Sequence, residues 1–421
     1  MSVCNKTIHI WVISRKYPPN FSGSAIQADQ ILRKLTHMGF SATVLTAGDL
    51  AAKHLRGRQI KRNGINIRYL PTIRYQDWIT VAEASKLNKL ILYFRTLLGA
   101  LSLSILVAWT LWKEGQCNDI VRIYAPNAFS FLPIWVARVR GMRSVLHMTL
   151  LNSDDPEGIK TNSNKFEAIL ALKSFFMADA ITGYSSAQIK SCISVGLDHQ
   201  KVFRIPGGVD LNNFKPASAE ERIAIRQKLG LKLDCFYIIF AGAAIARKGL
   251  DVLIDAFLRV HSQVGNIELL VVGPCDFSDP RHQLACALRD NLDANNQGAL
   301  VHWIGQVDNV HDYMRISDIF CFPSRREGFG LVIIEAMASG LPVIISRLEG
   351  ITTDILPSDK EGICIPSFNP DDYATVLLRF LKNPTMTKTI GEMARLRAVT
   401  KFDLEHVAAQ YARLYRRLAG V

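Results

Sequence analysis

The stretch IFCFPSRREGFGLVIIEAMASGLPVIISRLEGI, residues 319–351, decides how the chain is read. Its apolar run from Ile319 ends at Pro323, a glycine-rich turn holds Glu327, a helical pattern carries Glu335, and a second apolar run follows Gly340 and Pro342. That order spells strand, loop, helix, strand. The loop puts the backbone N–H groups of Gly328, Phe329, Gly330 and Leu331 at a helix N-terminus, where they and the helix dipole favour a phosphate. Glycine at 328 and 330 lets a ligand come close to the backbone. Glu335 follows Glu327 by eight residues, so one carboxylate stands at the mouth of the loop and the other about one turn inside the helix. Carboxylates accept hydroxyl hydrogens. The pair suits a ligand with a diphosphate in its middle and a polyol at each end. The plainer alternative for two glutamates alone is a helix cap at Glu327 and a solvated face at Glu335.

A chain of 421 residues is too long for one ordinary core and points to two α/β domains. The eight cysteines form no C-x-x-C pair and no metal spacing, which reads as buried free thiols in a reducing compartment and as no metal site. The N-terminus runs from Met1–Lys6 straight into the apolar run Ile8–Ile13, with no signal pattern, so the expectation is a cytoplasmic chain. The net charge of +13 attracts an anionic partner. Arg56, Arg58, Lys61, Arg62, Arg68 and Arg74 cluster, but no nucleic-acid signature appears, so the expected partner is an anionic membrane surface and not nucleic acid. Thr96–Trp112 is a 17-residue uncharged run, at the lower limit for spanning a bilayer. Gly99, Ser102, Ser104 and Thr110 dilute it, and it lies between two strands, so a buried or membrane-facing helix is preferred to a transmembrane one.

Strand and helix signals alternate through the first half as a parallel sheet demands. Strands are expected at Ile8–Ile13, Ala42–Leu45, Ile65–Tyr69, Ile120–Tyr124, Ser144–Met148, Ala180–Gly183 and Val202–Ile205, with helices at Ser24–Met38, Phe131–Val139 and Lys165–Phe176. The turn-rich stretch Pro206–Pro216 is a natural hinge. A second cycle begins at Phe236–Ala241. A helix at Gly249–Val260 follows, then strands at Glu268–Val272, Leu300–Ile304 and Ile363–Ile365 and an amphipathic helix Leu404–Leu418.

The 319–351 stretch resembles the Glu-x7-Glu signature of the retaining glycosyltransferases of family 4. The resemblance extends over nearly the whole chain, most strongly after Asp179, through Asp179–Ser185, the run Ile205–Asp210 with Phe214, and Val301–Val307. The resemblance implies the GT-B fold: α/β, two Rossmann-like domains facing across a cleft, with a C-terminal helix crossing back to the N-terminal domain. The domains expected on that basis are an acceptor domain at 1–206, a hinge at 207–216, a nucleotide-sugar domain at 217–398 and the returning helix at 399–421. The resemblance gives Glu335 the ribose hydroxyls and Glu327 the transferred sugar. It puts Gln306 and Val307 in the base-binding loop.

Sugar transfer needs a stabilised leaving diphosphate, which oriented N–H groups and cations supply. Lys248 is the first candidate, placed after a strand and before a helix, where loops of open α/β sheets bind ligands. The family carries an early arginine in this loop; Ala243 stands there, and Arg247 is the expected replacement. The N-terminal loop contributes Ser22, Gly23 and Ser24, with Ser24 in place of a second family glycine and Gly207 in place of a family asparagine. Ser22 or Ser24 as a simple helix cap is compatible with that role. His147 ends a strand near where the family often has a histidine, in a register that falls either at 147 or nearer Thr149 and Leu150, though a satisfied structural histidine is the more common case. Asp154-Asp155 is not the spaced pair of metal-dependent transferases.

The reading is a hexosyltransferase with Glu327 and Lys248 at the reaction centre. It needs no cofactor beyond its nucleotide diphosphate sugar donor, and the acceptor is a carbohydrate or lipid-linked hydroxyl, in polysaccharide or glycolipid synthesis. Peripheral attachment to the inner face of the membrane completes it. Two rivals stand beside it: a nucleotide-sugar epimerase of the same architecture, and a catalytically silent subunit motivated by Ala243 and Ser24.

Overall fold

The computed structural model describes residues 7–18, 23–47, 54–73, 86–275 and 282–421, with the backbone alone described for 86–93. Ser22, Arg74 and Cys4 lie outside the described residues. The chain divides into two compact units, Met1–Gly208 with Leu404–Val421, and Val209–Asp403.

The first unit holds β1 (His9–Ile13), β2 (Ser41–Ala47), β3 (Gln59–Arg62) and β4 (Ile65–Leu70). It continues with β5 (Ile120–Tyr124), β6 (Arg143–His147), β7 (Ala180–Gly183) and β8 (Val202–Arg204). They form one sheet in the order β3-β4-β2-β1-β5-β6-β7-β8. Every pairing is parallel except β3 with β4, which is antiparallel. The central strands are buried on both faces, as a parallel sheet covered by helices requires. One face packs against the helices Gly23–His37 and Leu404–Ala419, with Val407, Tyr411 and Tyr415 in the shared core. The other face packs against Lys86–Glu114, Phe131–Val139 and Lys165–Met177 through residues such as Val107, Ile134 and Phe175.

β3 was not anticipated. Its residues Gln-Ile-Lys-Arg are mostly exposed, so no apolar run announces it, and the turn Asn63-Gly64 with φ of 50° and 79° folds it back on β4. The basic cluster expected on a membrane-facing stretch is therefore partly an edge hairpin, and Arg68 within it is committed to Glu114 at 2.7 Å and lies over the Trp11 ring. The uncharged run 96–112 is part of a 29-residue helix, Lys86–Glu114.

The second unit holds β9 (Phe236–Ala241), β10 (Ile267–Val272), β11 (Val301–Gly305), β12 (Ile319–Phe322), β13 (Val343–Ser346) and β14 (Ile363–Ile365). Their order is β11-β10-β9-β12-β13-β14, all parallel. The chain leaves β9 toward β10 on one side and returns to β12 on the other. The crevice between β9 and β12 is thus the point where strand order reverses, the place where open α/β sheets bind ligands.

Candidate active site

The loops leaving β9 and β12 meet at that reversal point. After β9 the chain makes a short turn over Ala246–Lys248 and enters the helix Leu250–Val264 through Gly249, whose φ is 72°. A Cβ on Gly249 would lie 1.9 Å from the Pro323 carbonyl oxygen, so only glycine lets the two loops close on each other. Arg325 N–H donates to the Arg247 carbonyl at 2.8 Å, and the Arg325 guanidinium grips Asp251 with two bonds of 2.8 and 2.6 Å. Loop to loop, the site is stapled by backbone and by a fork-shaped ion pair.

Inside the staple, Lys248 Nζ donates to Glu327 Oε1 at 2.6 Å, and Ser324 Oγ donates to the same oxygen at 2.6 Å. Arg247 approaches that oxygen at 3.5 Å while donating to the Arg326 carbonyl at 2.6 Å. Glu327 is buried, and Lys248 lies over the Phe322 ring at 5.0 Å. Burial pushes the Lys248 ammonium below its ordinary value, against the pull of Glu327. An ammonium has three donors, so the bond to Glu327 leaves others for a ligand. The candidates Lys248, Arg247 and Glu327 are brought together; Ser324, Arg325 and Asp251 complete the frame and were not anticipated.

Gly330, with φ of 101°, caps the helix Leu331–Ala338, and no side chain caps its first turn. Ile333 N–H returns to the Gly330 carbonyl at 2.9 Å, and a helix N-terminus without a side-chain cap is a place that favours a phosphate. Phe329 is buried, edge-on to Phe402 at 5.8 Å. Glu335 is on this helix, half-buried, with no polar side-chain partner among the described residues, and burial pushes its carboxyl up to about 7. Gln306 is exposed and Val307 half-buried in the turn after β11. The loops after β9, β10 and β11 are knitted at their starts by Gly242 N–H to Val272 O and Gly273 N–H to Gly305 O, both 2.8 Å.

In the first unit, Gly23 and Ser24 are the opening residues of the helix Gly23–His37. Ser24 lines a cavity of about 470 Å³ at the ends of β1 and β5, where this sheet also reverses its strand order. Thr149 and Leu150 line it, and so do Arg15, Lys16 and Asn127, which were not anticipated. His147 is fully buried: Nδ1 bonds Thr182 Oγ1 at 2.8 Å, Tyr124 and Tyr184 pack edge-on at 4.8 and 4.5 Å, and burial holds its pKa well below the ordinary range. Asp154 and Asp155 are spent locally. Asp154 takes the N–H groups of Thr149 and Leu150, its pKa lifted by burial to about 6, and Asp155 caps the helix Pro156–Asn162.

With this geometry in place, the comparisons with known proteins fall on the same unit. Residues 221–397 match the family model of the glycosyl transferases group 1. That segment belongs to the group 1 glycosyl transferases. The matched segment thus contains Lys248, Glu327 and Glu335. Among curated relatives, D-inositol 3-phosphate glycosyltransferase of Xylanimonas cellulosilytica is 30% identical over 250 residues, covering 56% of this chain and 57% of that protein. GDP-mannose-dependent monoacylated alpha-(1-6)-phosphatidylinositol monomannoside mannosyltransferase of Corynebacterium glutamicum is 26% identical over 54% of this chain and 59% of its own. The chain therefore spans a little over half the length of these relatives. The solved structure of Anabaena HepE in complex with UDP-glucose aligns with a TM-score of 0.74 at 18% identity, over 97% of this chain and 99% of that one. The two units on either side of the group 1 boundary together have the GT-B fold.

Proposed function

We propose that the chain is a retaining glycosyltransferase of family 4 that moves a hexose-type sugar from a nucleoside diphosphate to a hydroxyl acceptor. The observation that carries this reading is the cluster at the β9/β12 reversal, where Lys248 and Arg247 meet a buried Glu327 four residues before the Leu331–Ala338 helix, whose N-terminus has no side-chain cap. Lys248, Arg247 and that N-terminus neutralise the donor diphosphate. Glu335 takes the ribose hydroxyls and Glu327 those of the transferred sugar. The acceptor oxygen attacks C1 from the side on which the phosphate leaves. The C1–O bond to phosphate breaks, the new C1–O bond forms, and the acceptor proton goes to the departing phosphate oxygen. Configuration at C1 is retained. The relatives are named as glycosyltransferases, which supports transfer over the epimerase and silent-subunit readings. The first unit would hold the acceptor, and a bilayer surface is the expected setting.

The test is proton NMR of the sugar first released when water replaces the acceptor, using UDP-glucose and GDP-mannose as donors. Release of the α-anomer from either supports retention. The inverted anomer, or an epimerised donor with no release, removes the proposal.

A further inference from the structure

A cavity of about 540 Å³ lies wholly within the Val209–Asp403 unit, a size that suits a small organic ligand. It is lined by Phe236 at the start of β9, by Asp318 just before β12, and by Leu341 and Pro342 just before β13. These are the amino ends of the strands. The loops of the candidate active site leave the carboxyl ends, about 20 Å away along the six residues of β9 at strand rise. The opposite wall comes from the helices Pro370–Lys382 and Pro384–Lys401.

Four cations and two acids line the space. Arg222 is paired with Asp318 at 2.6 Å, Arg315 with Glu221 at 2.8 Å, and exposed Lys388 lies 4.0 Å from Glu392. Arg226 holds Asp318 as well, at 3.2 Å. Arg395 is the lining cation that has no carboxylate partner among the described residues. It is half-buried and bonds through Nη1 alone, to the carbonyls of Phe214 and Ala338. Nε and Nη2 keep their N–H donors for a ligand. Burial lowers its pKa, and no acid opposes the shift. A guanidinium taken partly out of water without a counter-charge favours an anion.

A second feature points the same way. The helix Pro384–Lys401 starts at the cavity, which Pro384, Thr387 and Lys388 line, and it has neither a side-chain cap nor an acid in its first turn. The positive end of its dipole favours a phosphate. The apolar wall of Phe236, Leu341 and Phe380 accommodates a hydrophobic body beside that phosphate.

Arg395 also ties the cavity to the candidate active site. Ala338, whose carbonyl it holds, ends the helix that begins at Leu331 beside the glycine-rich loop. That helix has eight residues, about 12 Å at helical rise. Pro384–Lys401 packs against it, and at Gly391 comes so near that a Cβ would lie 2.3 Å from the Gly340 carbonyl oxygen. A ligand that fixes Arg395 therefore holds the far end of the helix whose N-terminus is offered to the donor diphosphate. We infer that this cavity is a regulatory site for a small phosphate monoester with an apolar body, and that its occupancy tightens donor binding. Binding at the cavity stands apart from the proposed transfer reaction; the effect on the donor rests on it.

Calorimetry on the full chain, with phenyl phosphate as the probe, tests both halves. Wild type should bind phenyl phosphate, and should bind inorganic phosphate and benzyl alcohol at least about tenfold more weakly, since each offers half of the recognised chemistry. Arg395→Gln, confirmed folded by circular dichroism, should weaken binding about tenfold or more. Lys388→Glu, at an exposed position, should weaken it about threefold or more. Lys248→Ala should leave it unchanged. No binding by wild type, or binding indifferent to the substitutions at 395 and 388, overturns the site. Loss of binding in Lys248→Ala overturns it too, because the probe then occupies the donor loops. With saturating phenyl phosphate, UDP-glucose or GDP-mannose should bind wild type about fivefold more tightly, and phenyl phosphate should gain by the same factor when the donor is present. Unchanged or weaker donor binding overturns the regulatory role. Should neither donor bind with or without phenyl phosphate, the donor reading and the regulatory role fall together, while the phenyl phosphate titrations still decide the cavity.

Discussion

Glu335 occupies a surrounding that suits a neutral group, although the proposed chemistry needs a carboxylate. Its carboxyl is pushed up to about 7 from an ordinary 4.5, by burial alone. A folded value above the unfolded one means stability that is present below pH 4.5 and lost as pH rises through about 7. Glu335→Gln should therefore raise the melting temperature at pH 8 by at least about 2 °C and change it little at pH 4.5; equal effects at both pH values would refute the assignment. Donor hydroxyls favour the ionised form, so donor affinity should decline as pH falls below 7, by up to about tenfold per unit. Lys248 makes a contrasting case, since its charge is already paired. Lys248→Ala should lower turnover by roughly 10²–10³ if it holds the leaving diphosphate. Arg247→Ala should lower it too, because the guanidinium lies 3.5 Å from the same Glu327 oxygen. Full turnover in Arg247→Ala would show that it does not replace the arginine missing at Ala243.

At the scale of elements, the site depends on two glycines that do different work. Gly249 admits the Pro323 carbonyl, at 1.9 Å from where a Cβ would sit, whereas a Cβ on Gly330 would meet the movable Ile333 Cδ1 at 2.6 Å. Both have positive φ, which costs a non-glycine residue about 1–3 kcal/mol. Gly249→Ala should destabilise more than Gly330→Ala in thermal unfolding, since a carbonyl cannot move aside as a side-chain tip can; the reverse order would mean the loops are not stapled as described. The strand, loop, helix and strand around these positions were legible because apolar runs, Pro323 and the glycines punctuate them. So were β5, β7, β9 and β14, whose limits the apolar runs gave to the residue. β3 was missed because an edge strand buries little and has no apolar pattern; its one local signal was Asn63-Gly64. Asp251 was missed for another reason: its partner Arg325 is far away in sequence, as Asn127 and Thr149 are from Arg15 and Lys16 on the same cavity wall, and only the folded sheet brings them together; Ser324, three residues before Glu327, was read only as loop context.

At the scale of the whole molecule, the last helix belongs to the first unit. From it Tyr415 accepts a 2.9 Å bond from the fully buried Arg122 of β5, and the Tyr411 ring stacks 4.0 Å from that guanidinium. Arg122 faces tyrosine rings, which supply the electrostatic counterpart that a carboxylate supplies elsewhere. Tyr411→Ala should cost about 3–5 kcal/mol of stability, as large aromatic truncations in cores do. Denaturant unfolding checks this, and a loss below about 1 kcal/mol would show the helix end to be loosely held. The central claim concerns the group 1 domain, and the most direct test is calorimetric titration of UDP-glucose and GDP-mannose into wild type and Glu335→Gln at pH 8. The account predicts that at least one binds wild type and binds the variant about 10–100-fold more weakly, the loss of a charge-assisted hydrogen bond worth about 1.5–3 kcal/mol. Equal affinity for the two proteins would contradict it.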